Sequence, residues 1–130
     1  MKTILLIDDD PDDREIFEET LVSLNIAVHF EQAKNGLEAL EKLHSVSFRK
    51  PDLIFLDLNM PVMDGRQFLT TIKQRQELRD IPVIIYTTSS HEKDREFALE
   101  NQAAMFMTKH YSVSMLEKEM REVLTGFLDL

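Results

Sequence analysis

The sequence predicts an α/β fold, a five-stranded parallel sheet with helices packed on both faces. Three observations predict it. Five short runs are apolar or β-branched and lack a helical period. Longer segments between them place apolar residues at helical spacing. Helix-start signals stand where one kind of segment gives way to the other.

The strand-like runs are 3–7, 27–30, 53–56, 83–86 and 105–107. Each reads as a strand buried on one or both faces. In the first helical segment Phe17, Leu21 and Leu24 share a face. In the second, Leu37 and Leu40 line up with Leu43 or His44. In the third, Phe68, Leu69 and Ile72 do. The last carries Leu116, Met120, Val123, Leu124 and Phe127, the clearest amphipathic pattern in the chain. The segment 91–100 has mainly Phe97, with Leu99, to bury, so it is expected to pack loosely or to present a surface. Asp10 is a predicted N-cap with Pro11 at the first helical position. Asn35 with Glu38, Asp64 with Gln67, Ser89 with Glu92 and Ser114 with Glu117 have capping-box spacing. Strand–helix alternation repeated five times requires crossovers, and these are right-handed almost without exception.

The 130 residues suit one domain, read here as spanning 1–130, and the chain ends on its fifth helix with no output domain expected. A net charge of −9 argues against binding nucleic acid through a basic face, since phosphate neutralisation needs clustered Lys and Arg. The absence of cysteine excludes disulfides, thiolate zinc sites and thiol nucleophiles. The first apolar run is too short for a signal-peptide core, and no stretch approaches a membrane span. A cytoplasmic location is the expectation.

In an open α/β sheet, ligands bind beyond the carboxyl ends of the strands. The residues there are Asp8 and Asp9, Asp57, Thr87 and Thr88, and Lys109. Carboxylates about 4 Å apart repel by on the order of 4 kcal/mol in a surface-like dielectric, so a convergent set implies a cation. Mg²⁺ fits, because it takes oxygen ligands and keeps water and phosphate. Zinc fits less well without a Cys or a close His pair. A lysine holds an anion as a point charge and a threonine hydroxyl donates to it. Together these groups suit the handling of a phosphoryl group, with Asp57 as nucleophile.

The motifs ILLIDDDP, PDLIFLDLNMPVMDG, IPVIIYTTSS and MFMTKHY, in that order, resemble those of a receiver domain of two-component signalling. The resemblance covers essentially the whole chain and is to the single-domain kind typified by the bacterial chemotaxis regulator. It implies a flavodoxin-like (βα)₅ fold with strand order 2-1-3-4-5. It implies that Asp57 accepts phosphate from a histidine kinase or phosphotransfer protein, in a stoichiometric transfer rather than enzymatic turnover. Asp9 is then the main direct Mg²⁺ ligand, Asp8 helps through water, and the backbone carbonyl of Asn59 completes the shell. Lys109 pairs with Asp57 and then with the phosphoryl group. Thr87 swings in to hydrogen-bond it, Phe106 repacks, and Thr88 fills a site where small residues leave room. The face formed by 91–127 would be read by a downstream protein or used for homodimerisation.

Other residues read more simply. Asp10, Asp12 and Asp13 serve as N-cap and first-turn acids facing the helix dipole. Met60 and Met63 pack the active-site loop, and His29, His44 and His91 are bystanders. Two positions depart from the family. His110 stands where a proline usually follows the lysine in a cis peptide. Either the Lys109–His110 bond is cis, at ~2.5–4 kcal/mol, or a trans loop shifts Lys109. Gln102, Ala103 and Ala104 stand where a glycine turn is common, altering entry to the last strand. Three rival readings are a receiver-fold binding module that works without phosphorylation, a haloacid-dehalogenase-like phosphatase using Asp8, and an EF-hand. The last fails because Asp13 replaces the glycine its loop needs and a strand precedes it.

Overall fold

The computed structural model describes residues 1–109 and 112–130. It alternates β1 (Lys2–Ile7), α1 (Pro11–Ser23), β2 (Val28–Ala33), α2 (Gly36–His44), β3 (Leu53–Leu56), α3 (Gly65–Lys73), β4 (Val83–Thr87), α4 (Glu92–Glu100), β5 (Met105–Thr108) and α5 (Val113–Leu128). The sheet is parallel with order β2-β1-β3-β4-β5, as expected.

Side chains alternate across a strand, so the sheet separates two cores. Leu5, Ile7, Ile54, Leu56 and Ile85 face Leu40, Phe68, Leu69, Ile72 and Ala98 of α2, α3 and α4. Ile4, Leu6, Phe55, Ile84 and Tyr86 face Phe17, Leu21, Met120, Val123 and Leu124 of α1 and α5. All four residues of β3 are fully buried, which is why the central strand reads as an unbroken apolar run. Each such large side chain contributes about 1.5–3 kcal/mol of burial. The Phe17 ring meets Phe55 edge-on at 4.9 Å and stacks on Phe30 at 5.6 Å, fixing the rotation of α1 on the sheet.

Several expectations are corrected. β2 runs on through Glu31, Gln32 and Ala33, because register with β1 carries this edge strand past its apolar part. Leu37 is exposed, and Gly36, Ala39 and Leu40 are the buried residues of α2. Leu99 is 80% exposed, and the small Ala98 seats α4 instead. In α5, Leu128 is buried and Phe127 half turns outward. Asp10, Asn35 and Asp64 cap their helices, accepting from Asp12, Glu38 and Gln67 N–H at 2.8–2.9 Å. Ser114 does not cap; Ser112 does, accepting from Met115 N–H at 3.4 Å. The N-cap of α4 is His91, without a side-chain bond to the helix, while Ser89 accepts from His91 N–H. The Lys109–His110 bond lies outside the described residues.

Candidate functional site

Three strands, β1, β3 and β5, each deliver a functional side chain through a ladder bond just beyond the strand end. Asp8 N–H donates to Ala33 O, Asp57 N–H to Ile7 O, and Lys109 N–H to Thr87 O, at 2.8–3.0 Å. Gly65 makes the approach of α3 possible: a Cβ there would lie 2.2 Å from the Asp57 carbonyl oxygen. Gly65 N–H also donates to Leu58 O at 3.0 Å, pinning the 59–64 loop to the end of β3.

The predicted acids converge. Asp8, Asp9 and Asp57 each place a carboxylate oxygen within 4.8 Å of the others. Asp8 is fully buried, Asp57 nearly so, and Asp9 faces solvent. Asp8 Oδ1 accepts from Asp10 N–H at 3.0 Å and Asp57 Oδ1 from Asn59 N–H at 3.2 Å. Asp8 Oδ2 lies 2.7 Å from the Lys109 ammonium as an ion pair, without a well-directed hydrogen bond among the described residues. The donor set is all oxygen, with the buried Asp8 Oδ2 held by its ion pair to Lys109, so it suits a hard divalent cation. Burial pushes the Asp8 carboxyl up to about 6, against the pull of Lys109, and a bound cation reverses such a shift.

Lys109 is brought to the acids as expected, 3.3 Å from Asp57 Oδ2. Lys109 is not displaced from Asp57. Its ammonium also sits 5.6 Å above the Tyr86 ring. Burial disfavours the Lys109 charge, but contacts with Asp13 and Asp8 and the field of Asp57 outweigh it and hold the group above its ordinary range.

Asp13 corrects the sequence reading. It does more than face the helix dipole: Lys109 donates to Asp13 Oδ2 at 2.8 Å. Asp12, by contrast, is exposed at the helix start. The signal that finds Asp13 is its i, i+4 relation to the buried Phe17, which puts both on the inward face of α1.

Thr87 is fully buried and Thr88 exposed. Thr88 lines a cavity of about 160 Å³ with Asp13, Ile16, Lys109 and Val113. Ser89 N–H approaches Thr87 Oγ1 at 3.5 Å. Ser89 Oγ in turn bonds Asp94, whose other oxygen accepts from Arg66 at 2.6 Å. Phe106 pairs with Ile85 in the β4–β5 register and therefore shares the α4-facing side of the sheet with Thr87. It is half-buried, with the Arg95 guanidinium 4.6 Å over its ring. Asn59 is exposed at the mouth of the site.

A parallel 2-1-3-4-5 sheet carrying an acidic triad, a lysine and a buried threonine at its carboxyl edge defines a phosphoryl-handling receiver. The sequence matches the response regulator receiver domain family over residues 4–121, and the chain belongs to that family, the phosphorylatable receivers of two-component signalling. It is 33% identical to response regulator Rcp1 of Synechocystis sp. over 132 residues, covering 98% of this chain and 90% of that protein. Its fold is similar to that of the phosphorylated cyanobacterial phytochrome response regulator RcpA, with a TM-score of 0.90 and 30% identity, over 98% of this chain and 94% of that one. It is also similar to the Mn²⁺-bound form of Rcp1, with a TM-score of 0.86 and 32% identity, over 96% and 93% of the two chains. Receiver-domain response regulators are generally signalling proteins rather than turnover enzymes, and some relatives, such as protein-glutamate methylesterases, are multidomain. No helix among the described residues is long and apolar enough to cross a membrane.

Proposed function

We propose that Asp57 accepts a phosphoryl group from the phosphohistidine of a sensor histidine kinase or phosphotransfer protein, and that the change reaches the β5, α4 and α5 face. The observation that carries this reading is the Lys109 ammonium held 3.3 Å from Asp57 Oδ2 beside two further strand-end acids. The residues to hold Mg²⁺ are Asp9 and Asp57, with the Asn59 carbonyl and, through water, Asp8. Bound there, the ion supplies charge neutralisation at the transferring oxygens.

The chain's own groups do the rest. The Asp57 carboxylate attacks phosphorus; the P–N bond breaks and its electron pair returns to the imidazole. Lys109 neutralises charge on the phosphoryl oxygens as it develops. The Thr87 hydroxyl, with only the long Ser89 N–H contact among the described residues, is free to donate to a phosphoryl oxygen. Thr88 leaves room at the mouth. Movement of Thr87 reaches Phe106 on the same side of the sheet, and through Arg95 it reaches α4. The 91–127 face, where Leu99 and Met105 are exposed, is then what a downstream protein or a second copy reads. Transfer is stoichiometric, one phosphoryl group per chain, within a single receiver domain.

Acetyl phosphate with Mg²⁺ tests this directly. Intact-mass measurement is expected to show one added phosphoryl group in the wild type and none in Asp57→Asn. An adduct that persists in Asp57→Asn, or none in the wild type, overturns the reading.

A further inference from the structure

We propose that Asp13 is a positioning residue for phosphoryl transfer: its carboxylate tethers the Lys109 ammonium beside Asp57. This rests on the reading of Asp57 as acceptor.

An ammonium has three N–H donors. Three carboxylates surround this one, Asp8 at 2.7 Å, Asp13 at 2.8 Å and Asp57 at 3.3 Å. They are not equivalent. Asp8 Oδ2 is placed as an ion-pair partner without hydrogen-bond direction, and the Asp57 contact is long. Asp13 alone combines a short distance with hydrogen-bond geometry. Asp8 and Asp57 also belong to the cluster that can take a cation, and Asp13 does not. When cation and phosphoryl group engage those two, Asp13 is the carboxylate left to hold Lys109.

The tether is fixed in space. Phe17, one turn along α1, is fully buried against Phe30 and Phe55. Arg14 donates to the Asp8 carbonyl at 2.8 Å, tying the same turn to the end of β1. Asp13 therefore reaches Lys109 from a locked helix, whereas lysine has a flexible four-carbon stem that needs such a partner to stay in one place.

Phosphorylation by acetyl phosphate tests the assignment. In that step the Asp57 carboxylate forms the O–P bond and acetate leaves with the electron pair of the broken one. Asp13→Ala removes the acceptor, and Asp13→Asn keeps a side-chain oxygen in its place. Removal of a hydrogen bond to a charged group predicts about tenfold slower phosphorylation at saturating acetyl phosphate and Mg²⁺ for Asp13→Ala. Asp13→Asn is expected within about threefold of the wild type. The ¹⁵N signal of the Lys109 ammonium in the unphosphorylated protein is expected to be lost in Asp13→Ala and kept in Asp13→Asn, which a merely structural role would not produce. Asp13→Ala reacting at the wild-type rate overturns the proposal. So do two variants equally slow with the Lys109 signal intact, because Asp13 then acts other than through Lys109. A wild type that takes up no phosphoryl group overturns the acceptor reading itself, whatever the Lys109 signal shows.

Discussion

At Gln102 one side chain carries a backbone conformation suited to glycine. Gln102 N–H bonds Leu99 O and Ala103 N–H bonds Ala98 O, the paired bonds of a Schellman motif, with Gln102 at its left-handed position, φ 64°. With Gln102, Ala103 and Ala104 in place of a glycine turn, the sequence predicts an altered entry to β5. The structure instead keeps the turn and loads the strain onto Gln102. A non-glycine residue in this region costs roughly 1–2 kcal/mol, while glycine brings about 0.5–1 kcal/mol of extra unfolded-state freedom. Gln102→Gly is therefore expected to stabilise the protein by up to about 1 kcal/mol, raising the melting temperature by about 3–5 °C. Thermal unfolding that shows no gain, or a loss, would remove the strain argument.

Among the elements, α4 is held differently from its neighbours. It buries little apolar surface, and Leu99 turns away from the sheet. Its N-terminus is instead fastened by Asp94, which accepts from Ser89 and from Arg66 of α3. These partners, Ser89 first and Arg66 second, hold the Asp94 carboxyl below its ordinary value of 3.8. A depressed carboxyl contributes stability that is fully present above its unfolded value and disappears as pH falls through the folded one. Asp94→Asn is thus expected to lose about 1–2 kcal/mol between pH 5 and 8, with the gap to the wild type closing below about pH 4. Urea titrations across that range check it, and a gap independent of pH would mean that the charge is not what fastens α4. This element also shows what was legible from sequence. Apolar periodicity located α3 and α5 because their hold on the sheet is hydrophobic. It placed α4 with its sparse apolar face but not the Asp94 clamp, because a polar clamp has no period, and it shortened β2 because backbone pairing with β1 tolerates Glu31 and Gln32. The strand-end acids and Lys109 were legible because the topology brings strand ends together. Asp13 was missed because the face of α1 was read for apolar residues only.

Across the whole molecule, folding forces charge together at one edge of the sheet. The apolar strands are buried from both sides, and each ends where its next residue must meet the ends of its neighbours. Three strand-end acids and one lysine result, joined by Asp13 from α1, within a chain of net charge −9. Lys109 is shared by Asp8, Asp13 and Asp57, whereas Asp9 has no ion pair among the described residues. Like charges about 4 Å apart repel by about 1 kcal/mol in water and about 4 kcal/mol in a surface-like dielectric, so the metal-free fold carries a penalty that Asp9 adds to and a divalent cation removes. A ligand that binds only the folded state stabilises it by about 2.7 kcal/mol at a hundred times its dissociation constant. The wild type is therefore expected to melt progressively higher as Mg²⁺ is raised. Asp9→Asn should start about 0.5–1 kcal/mol more stable in chelator and lose most of that response. Any salt screens a chain this acidic, so the comparison is made against NaCl at equal ionic strength. If NaCl reproduced the Mg²⁺ shift, or Asp9→Asn kept it in full, the acidic edge would be general surface charge and not a metal site.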